Sequence, residues 1–137
     1  MNKYFRTQRS LILVCGMMLA SLASAGDIVV IMAPGAPGLS KDQVTNVYIG
    51  RSKDLKPLDL PSSAPARETF YKKATSRDAA QIKALWARIQ FTGLGQPPKE
   101  LPDDAAVKKT VAADPKAVGY IDKASVDNSV KVVLDLN

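Results

Sequence analysis

The apolar positions along the chain change period several times, and each change marks an element. Residues 27–33 (DIVVIMA) are nearly continuous apolar and β-branched, the pattern of a strand buried on both faces of a parallel or mixed sheet. A turn-rich loop follows, and Ser40 with Gln43 forms a capping box. The helix behind it buries Val44, Val47 and Tyr48, and Gly50 stands where a C-terminal cap belongs. Residues 57–60 (PLDL) are a short extended run that breaks at Pro61. A helix over residues 64–74 has Pro65 in its first turn, Ala66, Phe70 and Ala74 inward, and Lys72 and Lys73 near its end. Asp78 and Gln81 cap the next helix, which carries Ile82, Leu85, Trp86 and Ile89 on one face as core, with Lys83 and Arg88 off it.

Residues 92–98 (TGLGQPP) form a loop, and 99–101 a short extended piece. Pro102 or Asp103 opens a helix over 104–113 with Val107 and Val111 inward, and Asp114-Pro115 stops it. Residues 117–121 are a short strand. In the closing strand, Val130, Val132, Leu134 and Leu136 alternate with Lys131 and Asp135, which predicts that the four apolar residues share the inner face. The order predicts an α/β fold with a mixed sheet flanked by helices, and no internal repeat or second domain.

The charge balance depends on the first 25 residues. Lys3, Arg6 and Arg9 precede an apolar run from Leu11 to Leu22, and Ala23-Ser24-Ala25 fits a small-x-small cleavage site, so residues 1–25 read as a cleaved signal peptide. The apolar run is short for a membrane span. Val14 before Cys15 is bulky where lipidation of the cysteine favours a small residue. Cleavage leaves residues 26–137 with 16 basic and 13 acidic residues, a charge of +3. That is ordinary for solubility and is not a nucleic-acid footprint. Cys15 leaves with the signal. An exported domain without disulfides relies on its core, which suits a bacterial periplasm, and the expected product does not span a membrane.

The sequence contains no histidine, and its one cysteine lies in the signal segment. Histidine triads, thiol nucleophiles and Cys/His zinc sites are therefore excluded, and no cofactor or metal is expected. Asp103-Asp104, at a helix start, reads as capping rather than catalysis, so the chain is not expected to be an enzyme. The candidate chemistry is at residues 59–71. A strand passing through Ser62 and Ser63 into a helix presents unpaired backbone N–H groups and two hydroxyls, with Arg67 one turn in. The alternative for the same residues is that Ser63 only caps the helix and Arg67 is solvated.

Five ordered segments carry a resemblance. VVIMAPGAPGLSKDQVTNVYIGRSKDL, PARETFY, LWARIQFTG, AADPKAVGYID and SVKVVLDL are similar in order and spacing to segments of the phosphate-binding proteins of ABC transporters. The resemblance implies a type 2 periplasmic-binding-protein-like fold at the length of a single lobe, phosphate or another small oxyanion as ligand, and an envelope or ABC transporter protein as partner. Arg67 and Phe70 match that family's Arg-x-x-Phe helix start. Its Ser-Gly-Thr positions are here Ala64, Pro65 and Ala66, so Ser62 and Ser63 are the hydroxyls left to serve beside Arg67 in an oxyanion site. The other reading the sequence supports is a non-catalytic envelope interaction module in which this turn is vestigial.

Overall fold

The computed structural model describes residues 26–137; the expected signal peptide and Cys15 lie outside them. The elements are β1 (Ile28–Met32), α1 (Lys41–Tyr48), β2 (Lys56–Asp59), α2 (Pro65–Thr75), α3 (Ala79–Phe91), β3 (Lys99–Glu100), α4 (Asp104–Ala113), β4 (Ala117–Asp122) and β5 (Lys131–Asp135), with a 3-10 turn at Lys123–Ser125. The strands form one sheet in the order β3-β2-β4-β1-β5. β1 runs antiparallel to both β4 and β5, whereas β2 is parallel to β3 and β4. The sheet is therefore mixed, and its inner position explains why every residue of β1 is buried.

Both predicted capping boxes form, at Ser40/Gln43 and at Asp78/Gln81. Gly50 follows α1 with φ +80°, and the Trp86 and Ile89 side chains close over it, leaving little room for a Cβ. The Trp86 ring is buried, and its Nε1–H donates to the Tyr48 carbonyl at 3.0 Å, which fastens α3 to α1. Residues on β4 alternate between two helical layers. Gly119 lies against Val107 and Val111 of α4, while the Tyr120 ring stacks on Phe70 of α2 with centroids 3.9 Å apart. The sheet is thus packed between α4 on one face and α1 and α2 on the other.

The closing strand departs from the predicted alternation. Val30 pairs with Leu134 and Ile31 with Val132, so Val133 is an extra residue in a β-bulge. The bulge turns Val133 into the core and leaves Val132 37% exposed. Three consecutive apolar residues, Val132 to Leu134, give the sequence no mark of where the period slips.

Candidate functional site

The β2–α2 turn is held from beneath by a buried carboxylate. Asp59 ends β2 and is only 4% exposed. Its Oδ2 accepts from the Tyr71 hydroxyl at 2.6 Å, and its Oδ1 accepts from the Tyr120 hydroxyl and from the Leu60 N–H at 2.9 Å. A buried carboxylate is tolerable only with such donors. Tyr48 completes the cluster. Its hydroxyl donates to the Leu58 carbonyl at 2.7 Å, and its ring meets Phe70 edge-on at 4.6 Å. Burial first, and then the adjacent Asp59 charge, push the Tyr48, Tyr71 and Tyr120 phenols far above their usual range. They remain protonated and serve as fixed donors.

Arg67 completes this network from α2. Its guanidinium lies 3.5 Å from Asp59 Oδ2 and 4.0 Å from Glu100 Oε2, and its Cζ lies 5.8 Å from the Tyr71 ring centroid. The side chain is 17% exposed, and its buried Nε has no hydrogen-bond partner among the described residues. Arg67 is therefore not a solvated side chain; it links α2, β2 and β3. It also lines a pocket of about 270 Å³ together with Tyr71, Trp86, Lys83 and Glu100.

Ser62 and Ser63 are exposed on the turn above. The cap expected of Ser63 does not form: Ala64 is the N-cap, without a side-chain hydrogen bond, and Pro65 is the first helical residue. The Ala64 N–H donates to the Pro61 carbonyl at 2.9 Å, closing the turn. The hydroxyls of Ser62 and Ser63 make no hydrogen bond among the described residues. Ala64, Pro65 and Ala66 line a wide hollow of about 880 Å³ that α4 and the 3-10 turn close from the other side. The structure thus places Arg67 on one pocket and the residues just before it on another. Ser62 and Ser63 line neither pocket.

The α4 side of the wide hollow is acidic. Asp103 accepts from Ala106 N–H at 2.8 Å, Asp104 from Asp122 N–H at 3.2 Å, and Asp122 from Ala124 N–H at 3.0 Å. Lys108, on the same wall, is paired with Asp127 at 2.8 Å. These carboxylates cap and brace the backbone, and they make the α2 side the more favourable for an anion. Among the described residues, no group of three or more His, Cys, Asp or Glu side chains is placed to hold a metal ion.

Sequence reasoning missed the buried half of this site. Asp59 reads as one polar residue in an extended run, and its partner Tyr120 lies 61 residues away. Tyr71 adjoins the expected core residue Phe70 but carries no periodic signal of its own.

Neither a scan against protein-family models nor a search of curated proteins finds a match. Solved structures do match. An ABC-type phosphate transport receptor from Vibrio cholerae superposes with a TM-score of 0.60 at 18% identity, over 78% of this chain and 45% of that one. A putative phosphate ABC transporter substrate-binding protein with bound phosphate, from Clostridium perfringens, gives 0.62 at 19% identity, over 78% of this chain and 44% of its own. Over the matched residues the chain has the α/β fold of these two proteins, and it spans less than half the length of either. Among the described residues, no helix is long and apolar enough to cross a membrane.

Proposed function

We propose that residues 26–137 form an exported, non-catalytic solute-binding domain that holds an oxyanion, phosphate foremost, at the start of α2, in the service of an ABC transporter in the periplasm. The observation that carries this reading is the likeness of the fold to two phosphate transport proteins, one of them with phosphate bound. The chemistry of the turn supports it. The Ser62 and Ser63 hydroxyls donate to the anion, together with the N–H of Ala66 in the first helical turn. The helix dipole adds positive potential there.

Arg67 contributes charge from behind the turn, reduced by its pairing with Asp59 and Glu100. Pro65 offers no N–H, so the site has fewer backbone donors than a helix start with another residue there. A single lobe also leaves the anion open to solvent and screening, so binding is weak unless a transporter protein or a second lobe closes the site.

Calorimetry of residues 26–137 with phosphate and with sulfate tests the reading, beside Arg67→Ala and the double variant Ser62→Ala/Ser63→Ala. Heat of binding for the parent that falls in both variants is the expected result, with circular dichroism unchanged in the serine variant and recorded beside it for Arg67→Ala, which also removes the cation facing Asp59. Absence of heat for either anion up to millimolar concentration, or heat indifferent to all three residues, refutes the site.

A further inference from the structure

The outer face of α3 has no covering element. Ala80, Ala84, Ala87 and Phe91 follow one another at i, i+4, i+7 and i+11, which places them on one face, and all four are exposed. Phe91 is 94% exposed and Leu94, just beyond the helix, is 67% exposed. The two are held together by the way the helix ends. The Gly93 N–H donates to the Gln90 carbonyl at 3.0 Å and the Leu94 N–H to the Ile89 carbonyl at 3.2 Å, with Gly93 at φ +72°. That is a Schellman closure, which fixes Leu94 beside the last helical turn. The apolar tip is therefore a built feature of the chain.

The helix and the loop after it carry only positive charge, and the nearest carboxylates, Asp54 and Glu100, belong to neighbouring segments. Residues 79–99 contain Lys83, Arg88 and Lys99 and no aspartate or glutamate. Lys83 and Arg88 flank the alanine stripe on its two sides and take part in no ion pair among the described residues. On the adjoining loop, Arg51 and Lys53 outnumber Asp54, and Lys53 lines the same hollow as Leu94.

We infer that this face docks on an anionic lipid surface. Phe91 and Leu94 enter the boundary between headgroups and acyl chains, and the long stems of Lys83, Arg88 and Lys53 reach the lipid phosphates on either side. The low alanine ridge lets the helix lie close to the headgroups. A second copy is disfavoured, because the face is cationic on both flanks and repels itself. The docking does not depend on oxyanion binding at α2.

Vesicle co-sedimentation of residues 26–137 tests this, using phosphatidylglycerol mixed with phosphatidylcholine, and phosphatidylcholine alone, at low and high salt. The protein is expected to bind the anionic vesicles at low salt and to leave them at high salt. Binding is expected to weaken about tenfold or more in Phe91→Ser/Leu94→Ser and in Lys83→Glu/Arg88→Glu. Both pairs are surface changes, and circular dichroism checks that the fold is retained. Ser62→Ala/Ser63→Ala, at two exposed positions, is expected to bind as the parent does, which separates this surface from headgroup capture at α2. No binding to anionic vesicles overturns the inference, as does binding that survives both surface variants or is lost with Ser62 and Ser63. Capture of an acidic protein through Phe91 in the absence of vesicle binding also overturns it, in favour of a protein partner.

Discussion

Raising the pH tests the buried tyrosine cluster directly. Of the four tyrosines in the chain, Tyr4 lies outside the described residues; the other three are Tyr48, Tyr71 and Tyr120, each at most 1% exposed. In the folded state, burial and the adjacent Asp59 charge raise all three phenols far above their ordinary value of about 10. A raised phenol binds its proton more tightly in the folded state than in the unfolded state. The stabilisation is therefore complete below about pH 10 and is lost as pH climbs above the unfolded pKa. Each phenol then removes about 1.4 kcal/mol per pH unit, and the three together about 4 kcal/mol per unit. A domain stability of roughly 5–10 kcal/mol is exhausted within about one to three units above pH 10. Phenolate absorbance and far-ultraviolet circular dichroism, followed together on residues 26–137, are expected to change in one steep, coincident transition. Phenolate appearing as a shallow single-proton curve near pH 10, with the dichroism still native, refutes the cluster as described.

Two further variants probe packing. Gly119→Ala places a Cβ 2.5 Å from Val107 Cγ1 between β4 and α4, and is expected to lower stability by about 1–3 kcal/mol in urea unfolding. The bulge in β5 predicts opposite outcomes for neighbours: Val133→Asp buries an unpaired charge and costs roughly 3–5 kcal/mol, whereas Val132→Asp costs less than about 1 kcal/mol. Equal effects at the two positions in denaturant melts contradict the bulge.

The local devices were legible in the sequence because they are short-range. Capping boxes span four residues, the Trp86 stripe spans two turns, and the uninterrupted apolar block of β1 announced an interior strand. Strand direction was less legible, since burial on both faces fits a parallel or an antiparallel neighbour, and β1 has antiparallel partners on both sides. At the candidate site, the turn and the position of Arg67 could be read from Pro61, the serines and Pro65. The partners of Arg67 could not, because Asp59 and Glu100 reach it across the sheet. The guanidinium expected to face an anion instead also neutralises a buried carboxylate, a relation no local spacing encodes.

The place of β1 in the sheet also governs when the chain can fold. β1 is the first of the described strands, yet both of its neighbours are the last two: Ile28 pairs with Asp122, and Val29 with Ile121 on one side and Asp135 on the other. The central pairings therefore close loops of about ninety residues or more, which slows folding relative to a chain with local contacts. Until β4 and β5 emerge, β1 has no neighbouring strand. A chain built this way cannot close its sheet around β1 until β4 and β5 are in place.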